Sequence, residues 1–275
     1  MKVDKLSPAL GAQVTQLDLS REQPDSVYAQ LRGALLEHSV LVIRGQSLDP
    51  AQFVSVSRQF GELEPYESTV REFLMPDHPE IILISNVKEN GRNVGVEDAG
   101  QYWHTDRSYV PQPCWSSLLY AIEVPTDEAG TVHGDTHFSS TLAAFAALPE
   151  STRRRLRDMR AVHRYIYRYT RPAADRLPPV EHPIALSHPF NGRPSLYVNA
   201  GFTECIAGVD VAASQQMLNE LYEHVARPEF IYTHHWQPGD IVMWDNFATQ
   251  HKATGDYRLP MRRLMWRTTV RSPRQ

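Results

Sequence analysis

Apolar positions along the chain fall into short runs, and their period switches repeatedly between two and 3.6. "QVTQLDL" (13–19) alternates as a strand does, and "SVYAQLRGALLEH" (26–38) repeats as a helix. "VLVIRG" (40–45) is a buried strand, and "PAQFVSVSRQFG" (50–61) is a helix with Pro50 near its start and Asp49 as its cap. "EIILISNV" (80–87) predicts another strand, and "KENGRNVGVEDAGQ" (88–101) predicts a mobile loop. Further strands are expected in "WSSLLYAIEV" (115–124), "PSLYVNAGF" (194–202), "EFIYTHHW" (229–236), "DIVMWD" (240–245) and "RLMWRTTV" (263–270). Helical material is expected around "STLAAFAALPESTRRRLRDM" (140–159) and "VAASQQMLNELYEHVA" (211–226), with Met217, Leu221 and Val225 sharing one face of the second. Many short strands separated by Pro, Gly and Asp turns predict a mainly β protein, a sandwich or jelly roll with helices packed outside it. No repeat or Gly/Ser-rich linker divides residues 1–275, so a single domain is expected.

Composition narrows the partners. A net charge of -4 and a pI near 6.3 give no electrostatic footprint for nucleic acid or an anionic membrane surface. A small molecule or a second copy of the chain is the expected partner. Cys114 and Cys205 are the two cysteines, the amino end lacks the basic-then-apolar build of a signal peptide, and no run approaches the roughly 18 apolar residues of a membrane span. A soluble, cytoplasmic protein is expected.

The chemistry concentrates in "QYWHTDRSYV" (101–110). On a strand, His104 and Asp106 point to the same side, so an imidazole and a carboxylate would meet at one point. They could share a metal ion, or His104 could simply hydrogen-bond Asp106 in an exposed turn. His251, just past the apolar "IVMW" strand, is a candidate third ligand at the end of a sheet. Two histidines and a carboxylate suit the facial triad of non-haem Fe(II) oxygenases, and zinc hydrolases also use this set. In the last strand, alternation places Arg263, Met265 and Arg267 on one face and Arg262, Leu264 and Trp266 on the other. One face therefore carries arginine inward, where a guanidinium needs an anion: a bound carboxylate, or an Asp or Glu of the chain itself.

These residues belong to a longer pattern. "LSPALGAQV", "LDLS", "FGELEP" (60–65), "NVKENGRNVGVEDAGQYWHTDRSY", "GDTHF" (134–138), "LYVNAGF", "WQPGDIVMWDNFATQHKAT" and "RRLMWRTTV" together resemble the taurine dioxygenase/2,4-dichlorophenoxyacetate dioxygenase (TauD/TfdA) family of Fe(II)- and 2-oxoglutarate-dependent oxygenases. The resemblance implies a double-stranded β-helix, a jelly-roll (cupin-like) fold. It implies Fe(II) on His104, Asp106 and His251, with 2-oxoglutarate and O2 as cosubstrates. It further implies that Thr136 hydrogen-bonds a carboxylate of 2-oxoglutarate, that Arg263 pairs with its distal carboxylate, and that Arg267 binds 2-oxoglutarate or an acidic substrate. The implied reaction oxidises a C–H bond of a small, anionic organic molecule while 2-oxoglutarate and O2 become succinate and CO2. Asp106 favours hydroxylation over halogenation, and desaturation, ring formation or C–O cleavage would use the same machinery. Homo-oligomers are expected by analogy with the family. The competing readings are a zinc-dependent hydrolase on the same ligands and a non-catalytic jelly-roll binding protein.

Some stretches depart from the family pattern. Taurine-oxidising members carry histidine just after "FGEL", whereas here "EPYE" (64–67) would repel a sulfonate, so taurine is not the expected substrate. Glu64 and Glu67 are expected at the surface, or facing a cationic or hydroxyl-bearing substrate. "TDEAGTVHGDTHF" is longer than the usual turn before the threonine, and it brings His133 and His137 near Thr136 as candidate substrate or supporting contacts. "RYIYRYTRP" (164–172) is expected to be a lid or subunit-contact segment. His234 and His235 would point to opposite faces of their strand, so at least one is structural.

Overall fold

The computed structural model describes residues 1–66, 68–97, 100–165 and 176–273. Glu67 and most of the stretch expected to form a lid, residues 166–172, lie outside the described residues.

Two facing sheets make the body. The main sheet runs in the order Lys2–Lys5, Ala12–Thr15, Val40–Ile43, Ile241–Asp245, Ser116–Glu123, Leu264–Pro273, His78–Ser85 and Leu74–Met75, with Gly61–Leu63 also paired to Leu264–Pro273. All its pairings are antiparallel except that of Ala12–Thr15 with Val40–Ile43. The small sheet runs Ile231–His234, Thr136–Ser140, Thr249–Ala253, and is wholly antiparallel.

Alternation along the main-sheet strands builds two cores. Val40, Val42, Leu119, Ala121, Val242, Trp244 and Met265 face the small sheet and meet Phe138 and Trp236. Leu41, Ile43, Leu118, Tyr120 and Met243 face the other way, onto Leu31 and Leu35 of helix Asp25–His38 and Phe53 of helix Pro50–Arg58. These strands are buried on both faces, and accordingly "VLVI" and "IVMW" read as continuous apolar runs. The Asp49 cap is present: its side chain accepts from the Gln52 amide, and Gln52 answers by accepting from the Asp49 amide, a closed capping box.

The architecture is the mainly β jelly roll with flanking helices that the sequence predicts, of the double-stranded β-helix kind. Local differences have simple causes. "STLAAFAALPESTRRRLRDM" is two helices, Thr141–Ala147 and Glu150–Arg157, because Pro149 supplies no amide and sits at the second helix's N-cap. In the helix Val211–Val225, Leu218, Leu221 and Val225 form the buried stripe, while Met217 is only partly buried at its edge. Residues 88–93 of the expected loop form a small hairpin, Lys88–Glu89 against Arg92–Asn93. No helix among the described residues is long and apolar enough to cross a membrane.

Candidate active site

His104 and Asp106 do not share a strand. His104 forms one antiparallel bridge with His251, each amide donating to the other's carbonyl at 3.1 and 2.8 Å, which extends the edge of the small sheet by a single residue pair. The chain then turns at Asp106, with Arg107 at φ 54°. His251 lies in the middle of its own strand, Thr249–Ala253, rather than at the end of the apolar one. The bridge replaces the expected i, i+2 alternation as the cause of convergence. Asp106 Oδ1 lies 3.5 Å from His104 Nε2 and 3.9 Å from His251 Nε2, and all three side chains are buried. The exposed-turn reading of His104 and Asp106 is thereby excluded.

The donor atoms are prepared for a cation. His104 Nδ1 donates to the Tyr102 carbonyl at 2.8 Å, so the lone pair of its ring sits on Nε2, towards Asp106. Burial, and then the neighbouring His104, hold His251 well below the ordinary histidine range, which keeps it neutral. Burial pushes the Asp106 carboxyl upward, but Arg267, His251 and His104 together outweigh it and hold it well below the usual carboxylate value. An ionised carboxylate and two buried imidazoles, with one ligand atom each within 4.8 Å of the others, suit a divalent transition metal.

The same pocket is lined by Thr136, Arg263 and Arg267, with Ile84, Leu119 and Trp244 as apolar walls. The sequence left open whether the inward arginines meet a carboxylate of the chain, and the two differ. Arg267 Nη2 lies 2.8 Å from Asp106 Oδ2, an internal ion pair. Arg263, only 3% exposed, has no Asp or Glu within ion-pair distance among the described residues. Its guanidinium lies 5.8 Å from the ring centre of Tyr257, whose hydroxyl partly offsets the burial that lowers its pKa. The Arg263 backbone is fixed on both sides, the amide donating to Asn86 Oδ1 at 2.8 Å and the carbonyl accepting from Ser85 Oγ at 2.7 Å. The buried Nε atoms of Arg263 and Arg267 have no protein acceptor. A buried fork-shaped cation without a carboxylate calls for an anionic ligand. Thr136 completes the cradle. Its Oγ1 accepts from Trp236 Nε1 at 3.0 Å, so its own proton is free to donate into the pocket.

Sequence reasoning missed the residues that hold these groups: Trp236, Asn86, and the pair Ser117 and Asn246 behind Asp106. Trp236, Asn86 and Asn246 stand inside quoted motifs, but nothing in a linear pattern marks a serine on an apolar strand. The other histidines singled out in the sequence have ordinary partners. His133 spans Asp127 and Asp256 at 3.2 and 3.4 Å, and His137 Nδ1 meets Thr233 Oγ1 at 2.8 Å; neither lines the pocket. His234 is buried against Asp240, and His235 is exposed on Asp135. Glu64 is not at the surface. It is buried in an ion pair with Arg107 at 2.8 Å, one residue beyond Asp106, with Arg271 at 3.6 Å.

Comparison with known proteins places the whole chain in one family. The family described as "Taurine catabolism dioxygenase TauD, TfdA family" matches residues 2–269. An alpha-ketoglutarate-dependent 2,4-dichlorophenoxyacetate dioxygenase of Cupriavidus pinatubonensis is 33% identical over 96% of this chain and 96% of its own. Pentalenolactone F synthase of Streptomyces arenae is 31% identical over 88% of this chain and 86% of its own. Among solved structures, AAD-2 in complex with Mn(II) and N-oxalylglycine superposes with a TM-score of 0.87 at 26% identity, covering 99% of both chains. The chain belongs to the TauD, TfdA family and is a 2-oxoglutarate-dependent dioxygenase.

Proposed function

We propose that Fe(II) is the metal of this dioxygenase, held by His104 Nε2, Asp106 Oδ1 and His251 Nε2, and that the prime substrate is a small organic anion hydroxylated at a C–H bond. The observation that carries the proposal is Arg263: a buried guanidinium with no carboxylate partner among the described residues, in one pocket with His104 and His251 of the metal-binding group. It is matched by the distal carboxylate of 2-oxoglutarate, to which the Thr136 hydroxyl donates a second bond. A zinc hydrolase on the same ligands leaves this cradle without a purpose. When bound, iron and 2-oxoglutarate supply the oxidising power, O2 and 2-oxoglutarate being converted to succinate and CO2.

The chain's own residues orient and protect. The Tyr102 carbonyl fixes the His104 ring by accepting from Nδ1, which directs Nε2 towards Asp106. Arg267, beside Asp106, is placed to neutralise a second carboxylate, either that of the cosubstrate next to its keto group or that of the prime substrate. Ile84, Leu119 and Trp244 exclude water from the cosubstrate side. An anionic prime substrate is in keeping with the dichlorophenoxyacetate named for the relative from Cupriavidus. Glu64, expected from the sequence to repel a sulfonate, is neutralised by Arg107 and does not line the pocket, so it gives no ground for excluding taurine. The same proposal has residues 1–275 act as one catalytic domain, cytoplasmic and homo-oligomeric.

Anaerobic titration tests it. Fe(II) followed by 2-oxoglutarate should produce the weak visible charge-transfer band of an iron–2-oxo acid chelate. Iron binding without the band would remove the cosubstrate assignment and restore the hydrolase reading.

A further inference from the structure

Asp106 offers two carboxylate oxygens, and the chain treats them differently. Oδ1 faces His104 Nε2 and His251 Nε2. Oδ2 faces the protein, where it accepts from Ser117 Oγ at 2.7 Å and from Arg267 Nη2 at 2.8 Å. Ser117 has no exposure to solvent, and its hydroxyl in turn accepts from Asn246 Nδ2 at 3.2 Å. Accepting from Asn246 leaves the serine proton no better direction than Asp106. Asn246 is itself held: its Oδ1 accepts from Trp244 Nε1 at 3.1 Å, and its Nδ2 also reaches Cys114 Sγ at 3.3 Å. Trp244 packs against the His251 ring, with centroids 4.7 Å apart. A single buried amide thus connects the group that orients one ligand to the ring that supports another.

We propose that Ser117 and Asn246 are positioning residues that reserve Asp106 Oδ2 for the protein, so that the carboxylate binds metal through Oδ1 alone. The consequence is chemical. A carboxylate free to turn could take a cation with both oxygens and occupy a position that the cosubstrate or O2 needs. Two short donated bonds to Oδ2 penalise that rotation, since it would leave buried donors unpaired. Arg267 makes the second of these bonds but also lines the pocket, whereas Ser117 and Asn246 are not among the pocket-lining residues.

The inference rests on Asp106 being a metal ligand, and the test separates the two. Mn(II) affinity is measured by the EPR signal of the free ion, without cosubstrate or turnover, on wild type, Ser117→Ala, Ser117→Thr, Asn246→Ala and Asp106→Ala. Each variant is checked for native near-ultraviolet circular dichroism in the absence of metal. Ser117→Ala and Asn246→Ala should bind Mn(II) about tenfold more weakly than wild type, with Ser117→Thr, which restores the hydroxyl, recovering most of the loss. The zero-field splitting of bound Mn(II) should also change in Ser117→Ala as the carboxylate rotates. Should Ser117→Ala fail to fold, Asn246→Ala carries the test, because removing it leaves the Ser117 hydroxyl in place but unoriented. Wild-type affinity and an unchanged spectrum in both alanine variants, alongside lost binding in Asp106→Ala, would overturn the inference and leave the ligand assignment standing. Wild-type affinity in Asp106→Ala would overturn the assignment itself.

Discussion

At the scale of single residues, the site is arranged around one unbalanced charge. Burying a guanidinium without a carboxylate costs several kcal/mol, which packing elsewhere must offset. Arg263 therefore weakens the protein that it equips. Arg263→Met keeps much of the aliphatic length and removes the charge. Its metal-free melting temperature should equal or exceed that of wild type, whereas its affinity for 2-oxoglutarate in the presence of Mn(II) should fall by roughly 2 kcal/mol or more, about 30-fold. Differential scanning fluorimetry and calorimetric titration read the two effects. A lower melting temperature with normal cosubstrate affinity would give Arg263 a structural role instead. The candidate ligands and the inward arginines stood out in the sequence because histidine, aspartate and arginine are costly to bury, so their presence among aromatic and β-branched neighbours demands a reason. Ser117 and Asn246 were not, because a serine or asparagine acquires its meaning only from what folds against it.

At the scale of elements, the main sheet was far easier to read than the small one, and the reason is functional. "VLVI" and "IVMW" are buried on both faces and announce themselves. "THFSS" and "TQHKA" form the two strands that carry Thr136 and His251, and they read as polar because the site needs polar groups on its inner side. A further element hides buried polarity without any role in the pocket. Strand Arg160–His163 pairs with Val180–Pro183 and Thr203–Ile206, and His163 is fully buried beside the His182 and Tyr197 rings. Burial, and then His182, push His163 down to about 3. Its unfolded value is about 6.5, so between these limits the unfolded chain binds a proton that the folded chain refuses. The stability it contributes is complete above pH 6.5 and falls by about 1.4 kcal/mol for each pH unit towards 3. Melting temperatures of metal-free protein between pH 7.5 and 4.5 should therefore decline more steeply in wild type than in His163→Asn. Parallel slopes would show that His163 is not held neutral.

At the scale of the whole molecule, the proposed ligands join parts that the fold keeps separate. Thr136 and His251 stand on the small sheet, His104 and Asp106 on the connection that bridges to it, and Arg263 and Arg267 at the start of the strand that pairs with His78–Ser85 and Ser116–Glu123. A metal ion would tie the connection to the small sheet. The cosubstrate would then tie both to the main sheet through Arg263. Each should assist the other, since metal binding fixes the wall against which 2-oxoglutarate is held. A ligand present at about 100 times its dissociation constant stabilises by about 2.7 kcal/mol, and in chains of this size class a kcal/mol raises the melting temperature by about 2–4 °C. Mn(II) with 2-oxoglutarate should therefore raise it by roughly 10 °C or more over metal-free protein, and 2-oxoglutarate without metal by much less. Hydrogen exchange locates the effect. Mn(II) alone should slow exchange around residues 104–106 and 249–253, and adding 2-oxoglutarate should extend the protection to 136–140 and to 82–85 paired with 264–267. Protection that stayed on the small sheet after 2-oxoglutarate was added would mean that the cosubstrate never reaches Arg263, and the anion that this buried arginine requires would have to be sought among other ligands.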